Sequence, residues 1–318
     1  MSAIRFRVLP NSYEQTKADK QRGDLNKALL VTLFLLPGMA IFFIFLLMPI
    51  SQSFYFSQYK WNGLGPVTDF VGMDNFANLL KNANFQSSLL HSVILMVLSL
   101  TIQLPLSLAL ALLVGRGQLR GRRFFRGMLF IPFVFSEIIT AIIWLYVLKP
   151  VDGLANVVFS SVIPGFQPVS WLGDRNIVLF AIFAIITWKY FGFHMILYMA
   201  GLQGIPKDLE DAARVDGATE RDVLWFITLP LLGSTIRLTV FLSVLGSFQQ
   251  FVIIWITTQG GPVNSSQVIA TFLYKFGVIQ QQLGFGSAVA VVLFAITLVF
   301  SLGYQRIILR RDYSADSI

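Results

Sequence analysis

Long apolar stretches alternate along this chain with shorter polar ones that carry most of its charge. A helix that crosses a bilayer needs about 20 mostly apolar residues. Six stretches meet that requirement: 28–50, 89–114, 128–148, 177–200, 236–257 and 287–309. A polar segment precedes them (1–27), a charged connector lies at 201–235, and a short tail follows (310–318). The pattern predicts an all-α membrane protein of six transmembrane helices. The first stretch comes after 27 mostly polar residues and is followed by no A-x-A cleavage site, so it reads as a retained helix rather than a signal peptide.

Composition removes the soluble alternatives. The 318 residues are 55% hydrophobic and 13% charged, with a mean hydropathy of +0.70, whereas an ordinary soluble domain carries roughly 25% charged residues. Neither a soluble globule nor a disordered chain is built this way. Cysteine is absent, which excludes disulfides, thiolate metal sites and a cysteine nucleophile.

The distribution of charge then predicts an orientation. With the N-terminus in the cytoplasm, 18 of the 24 Lys and Arg fall on the inner side, 5 on the outer side, and Lys189 in mid-span. The positive-inside rule therefore places both termini in the cytoplasm. The outer loops 51–88, 149–176 and 258–286 are too short for an independent domain. Trp61, Trp171, Tyr55, Tyr59 and Tyr146 suit an aromatic belt at the outer interface.

The connector between the fourth and fifth stretches is the least lipid-like internal segment. Six of the chain's 16 carboxylates lie in 206–222: Asp208, Glu210, Asp211, Asp216, Glu220 and Asp222. Pro206 suits a first helical turn, and the early acids favour the positive end of the helix dipole. Gly217 can take the left-handed conformation that ends a helix. Thr219 and Asp222 have the spacing of a capping box that opens a second one. Helix, glycine turn, helix is the expectation, with Ala212 and Ala213 leaving room for another surface. A plain solvated connector is the alternative from composition alone.

The spacing of Asp211-Ala212-Ala213, Asp216-Gly217-Ala218 and Ile227-Thr228-Leu229-Pro230 resembles the "EAA" signature of binding-protein-dependent ABC importer permeases. Asp211 stands where that signature has Glu, and Glu210 beside it is the other candidate carboxylate. Further pieces are similar to the carbohydrate-uptake permeases of the family: Phe70-Val71-Gly72 with Asn75-Phe76, then Arg126, Ile131-Pro132 and Trp144. Pro150, Gly153-Leu154 with Asn156, Gly260-Gly261-Pro262 and Gly284-Phe285-Gly286 continue the likeness, which runs from about 29 to 311. It implies the ABC importer permease fold in a bacterial or archaeal inner membrane. It also implies a second permease subunit, two cytoplasmic ATPase subunits and an external solute-binding protein as partners, with a carbohydrate as substrate. Glu210, Asp211, Ala212, Ala213, Asp216, Gly217, Leu229 and Pro230 would then couple the spans to the ATPases.

This chain holds no cofactor by that implication; ATP and magnesium would belong to the partner ATPases. None of its nine Lys follows a Gly, so the G-K of a P-loop is missing. The two histidines, His91 and His194, stand without a metal-binding pattern, and the basic loop near Arg120 is explained by orientation rather than nucleic acid. A self-sufficient secondary transporter or channel is the competing class. It would usually show internal repeats or coupling acids within spans.

Candidate pathway groups are few. Thr187, Tyr190, His194 and Tyr198 recur at helical spacing on one face of the fourth span. Gln249 and Gln250 interrupt the fifth. Each set suits a sugar pathway or, alternatively, polar packing between helices. Glu137 and Lys189 stand roughly 14 and 16 Å from the inner boundary at about 1.5 Å per residue. An unpaired charge at that depth costs at least about 2.5–3.5 kcal/mol, so the two are expected to pair or to share an aqueous cavity. The alternative turns Lys189 toward a partner subunit and Glu137 toward Ser136 or Thr140.

Overall fold

The computed structural model describes residues 27, 29–115 and 121–309. Residues 1–26, 28, 116–120 (with Arg116 and Arg120) and 310–318 lie outside the described residues. The chain divides into two units, Met1–Tyr55 and Phe56–Ile318. The first is accounted for by helix α1 (Leu29–Phe56), whose 28 residues carry large side chains exposed all along it, Phe34 and Phe45 among them. A helix that is apolar all round is made for a lipid or protein environment rather than water.

The described elements of the second unit are helices joined by loops, and a lone bridge between Tyr59 and Phe70 is the only β pairing among the described residues. It opens with α2 (Asp74–Lys81) and α3 (Ala83–Gly115). Asn82 separates them and caps α3, its Oδ1 accepting from the backbone N–H of Asn84 at 2.9 Å and of Phe85 at 3.1 Å. Next come α4 (Arg122–Val134), α5 (Glu137–Val147), the short α6 (Leu154–Val162) and the long α7 (Val178–Gln203). Then follow α8 (Lys207–Val215), the helical run α9 (220–231), α10 (Gly233–Gln249) and α11 (Val252–Thr257). Last are α12 (Ile269–Ile279) and α13 (Leu283–Ile308).

The most buried helix is α7, with 14 of its 26 residues inside. Its first half packs Ile182, Ile185 and Ile186 against Leu148 and against Ile253 and Ile254 of α11. Its second half packs Met195, Met199 and Leu202 against Ala111 of α3 and Leu232 at the head of α10. A separate apolar cluster joins α2, α3, α10, α12 and α13 through Leu79, Phe85, Val244, Phe248, Phe272 and Val289.

The stretch expected as one span at 128–148 is two helices. α4 starts earlier, at Arg122, and α4 and α5 meet at 99°. Pro132 sits within α4, where its missing N–H weakens the last turn. Phe135 and Ser136 are extended, with ψ of 146° and 156°, and the Ser136 hydroxyl caps α5 by accepting from Ile139 N–H at 3.2 Å. The fifth span is broken too: Gln250 (ψ 120°) and Phe251 interrupt it between α10 and α11.

Close approach of α4 to α7 rests on Gly192, where an added Cβ would run into the Leu129 carbonyl and crowd the Phe130 backbone. At Gly127 of α4 an added Cβ meets nothing within 4 Å. Gly192→Ala is therefore expected to destabilise the fold by about 1–3 kcal/mol, the usual cost of overpacking, while Gly127→Ala is neutral or better. Thermal melting of the two purified variants checks this.

Candidate functional site

Two constellations stand out. The first is the loop 206–222. Asp208 and Glu210 sit in the first turn of α8, and the helix ends at Gly217, whose φ of +91° is the left-handed conformation. Its closing hydrogen bonds run from Gly217 N–H to the Arg214 carbonyl (3.1 Å) and from Ala218 N–H to the Ala213 carbonyl (2.9 Å). The next helix opens with a complete capping box. Thr219 N–H donates to Asp222 Oδ2 at 2.9 Å, and Asp222 N–H donates to Thr219 Oγ1 at 3.3 Å.

Arg214 ties the two helices together. Its Nε donates to Glu220 Oε1 and its Nη1 to Asp211 Oδ1, each at 2.7 Å. Glu210 is buried and accepts from Thr228 Oγ1 at 2.9 Å, which anchors α8 to α9. Asp211, Ala212, Asp216 and Gly217 are exposed, Ala213 half so. Pro230 is exposed on α9 beside the half-buried Leu229, and the same helix presents Trp225 and Phe226. The neighbouring acids thus divide: Glu210 holds the loop from within, and Asp211 stands outside.

The second constellation is a cavity of about 300 Å³ between α3, α5, α7 and α10. Both span breaks open onto it, Glu137 from the first and Gln249 and Gln250 from the second. Tyr190 and His194 of α7 line it, with Ser99 and Gln103 of α3 and Ser243 and Ser247 of α10. Ser99 and Gln103 flank a π-helical turn in α3, a distortion common at functional sites. The hydroxyls of Ser99 and Ser243 are 2.8 Å apart and join α3 to α10. Tyr190 donates its phenol to Glu137 Oε1. His194 is buried against Phe193.

The expected ion pair does not form. Lys189 turns from the cavity toward the end of α4, donating to the carbonyls of Phe133 (2.8 Å), Pro132 (3.4 Å) and Phe135. Glu137 takes the Tyr190 phenol instead of Ser136 or Thr140. Equal depth brought the two charges near each other, but the broken backbone competes for the ammonium. Tyr198 also lies elsewhere: it is buried in the cluster around Leu202 and accepts from Thr239 Oγ1 at 2.8 Å. Thr187 does not line the cavity.

The family model for "binding-protein-dependent transport system inner membrane component" matches residues 103–312. The chain belongs to this family. It is a multi-pass inner membrane transport component and not an enzyme. The diacetylchitobiose uptake system permease of Streptomyces coelicolor is 33% identical over 278 residues, covering 84% of this chain and 79% of that one. The trehalose/maltose transport system permease of Thermococcus litoralis is 31% identical, covering 86% and 92%. Among solved structures, a bacterial alginate ABC transporter in complex with an alginate pentasaccharide-bound periplasmic protein superimposes with a TM-score of 0.78 at 25% identity, covering 89% and 95%.

Of the pathway candidates in the sequence, Glu137, Tyr190, His194, Gln249 and Gln250 line the cavity, and Lys189 and Tyr198 do not. Ser99, Gln103, Ser243 and Ser247 line it too, although the sequence pattern did not single them out. Their signal was present as polar residues spaced four apart within apolar spans, a spacing that keeps them on one helix face.

The loop's carboxylates give it a pH dependence. Hydrogen bonding and charge from Arg214 hold Glu220 below its ordinary 4.5, and hydrogen bonds from Thr219 hold Asp222 below 3.8. Their contribution to loop order is complete above pH 4.5 and is lost as pH falls through the lowered values. Amide protection in 207–222, corrected for intrinsic exchange, is expected to stay level above that pH and drop below it. Arg214→Met should lower it at neutral pH as well.

Proposed function

We propose that this chain is one permease subunit of an ATP-driven importer for a sugar delivered by an external solute-binding protein. The observation that carries the reading is the loop 206–222. It is a short helix anchored from within by Glu210 and tied to the next helix at the surface by Arg214, with a slim outward face at Ala212 and Ala213 and a fixed glycine turn. A part built this way suits insertion into a groove on another protein. We read that protein as a cytoplasmic ATPase, a reading that membership of a binding-protein-dependent transport family supports. Two ATPases and a second permease complete the assembly, and both termini of this chain face the cytoplasm, a placement that the Lys and Arg distribution supports. With α4 and α5 counted as one crossing, the described helices make six passes.

ATP binding in the ATPases would draw the loops together and tilt the spans from inward-facing to outward-facing, where the binding protein releases its solute. Asp211, Ala212, Ala213, Asp216 and Gly217 would form the ATPase contact, while Leu229 and Pro230 set the loop against the fifth span. Glu137, Tyr190, His194, Gln249 and Gln250 offer the pathway hydrogen-bonding groups of the kind a polyhydroxyl solute needs. The relatives named for diacetylchitobiose and trehalose/maltose support a carbohydrate. Alginate in the solved transporter supports the same class.

Gly217→Arg puts a long charged side chain on that face and a non-glycine residue at φ +91°. In proteoliposomes with all subunits, it should abolish sugar uptake while ATP hydrolysis continues and the variant inserts at normal levels. Pro230→Ala should reduce uptake less severely. Normal uptake by Gly217→Arg would refute the coupling role. Uptake by the purified chain alone on an ion gradient would favour a secondary transporter.

A further inference from the structure

The break between α4 and α5 leaves backbone carbonyls without helical partners, at a place in the chain where water is scarce. The last carbonyls of any helix lack an internal donor, and in lipid such groups must be satisfied within the protein. Here one side chain answers most of the demand. Lys189, 4% exposed, donates to the carbonyls of Pro132, Phe133 and Phe135. Its ammonium also lies 5.3 Å from the centroid of the Phe133 ring and 5.8 Å from that of Tyr190. The charge suits the site, since the C-terminal end of α4 is the negative end of its dipole.

The next residue grips the other side of the break. Tyr190 donates to Glu137, which stands in the first turn of α5, at the positive end of that helix. One peptide of α7 therefore holds both half-helices, Lys189 the end of α4 and Tyr190 the start of α5. Gly192, one turn on, allows α4 to come close enough for the ammonium to reach. No carboxylate is within ion-pairing distance of Lys189 among the described residues, and Lys189 does not line the cavity, whereas Glu137 does.

We infer that Lys189 is a positioning residue: by occupying the carbonyls freed at the break, it fixes the angle between α4 and α5 and thereby keeps the Glu137 carboxylate facing the cavity. Its role is to donate hydrogen bonds as a cation, not to neutralise Glu137. A guanidinium can fill that role; an apolar chain of similar length cannot. The bend itself does not depend on the cavity being the sugar pathway, although the effect on uptake rests on that reading.

Because the chain has no cysteine, introduced cysteines are its only labelling sites, and it is labelled before cysteine-free partner subunits are added. Cysteines replacing Met128 on α4 and Tyr146 on α5 report the bend in the assembled complex by double electron–electron resonance. The unmodified Lys189 background should give one narrow distance distribution. Lys189→Met should broaden and shift it and lower sugar uptake at least about tenfold, the factor equivalent to one charge-assisted hydrogen bond. Lys189→Arg should restore the narrow distribution and most of the uptake. If Lys189→Met yields no assembled complex, Lys189→Gln replaces it and should still broaden the distribution.

An unchanged distribution in Lys189→Met or Lys189→Gln overturns the inference, and so does an Arg variant no better than Met. Should the bend respond as expected while uptake does not, Lys189 sets the bend without setting the cavity, and the inference fails in its second half. Failure of the pathway reading shows separately, as uptake that is unchanged by Glu137→Gln when Lys189 is intact.

Discussion

A backbone N–H or carbonyl left unpaired in a bilayer costs several kcal/mol, so irregular backbone survives at depth only where protein or a water-lined cavity receives it. This chain breaks two of its spans, at 135–136 and at 250–251. The first break is met by the Ser136 cap and by the Lys189 ammonium. Both breaks face the same polar cavity. The central helix α7 makes this possible by supplying Lys189 and Tyr190 to the break, His194 to the cavity and Gly192 to the close approach. Its flanking residues are packed on both sides by apolar clusters that fix its rotation.

Rigidity in the loop has a different origin. Exposed ion pairs are individually worth little, about 0–1 kcal/mol, so the Arg214 pairs alone would not order it. Order comes from the local backbone: the left-handed Gly217, the reciprocal Thr219–Asp222 cap and the buried Glu210–Thr228 hydrogen bond. Arg214 then selects one arrangement among those the backbone allows. The outcome is a part that can transmit a push, joined by the short helix α9 to the head of the fifth span.

What could be read from the sequence was local. Apolar length located the spans, and proline, glycine and a Thr-x-x-Asp spacing described the loop down to its capping box, because each depends on residues within one or two turns. The break in the third span was not legible in the same way. Pro132 lies just before it, but the side chain that receives the freed carbonyls, Lys189, is more than 50 residues away in sequence. Depth arithmetic placed Glu137 and Lys189 at one level and could say nothing of which group each would prefer. Tyr198 shares a face with Tyr190 and His194, yet one turn further along that face meets Thr239 of α10 rather than the cavity.

The central claim is that the polar cavity where the two breaks meet is the route of the solute. Gln249 is exposed at its edge, and the cysteine-free chain permits a single reporter there. The rate at which Gln249→Cys reacts with a water-soluble, membrane-impermeant maleimide in the reconstituted complex tests the claim directly, read on this chain by mass spectrometry. The account predicts reaction during ATP-driven turnover and slowing by saturating sugar-loaded binding protein. A cysteine that never reacts, or whose rate is indifferent to the sugar, would contradict it.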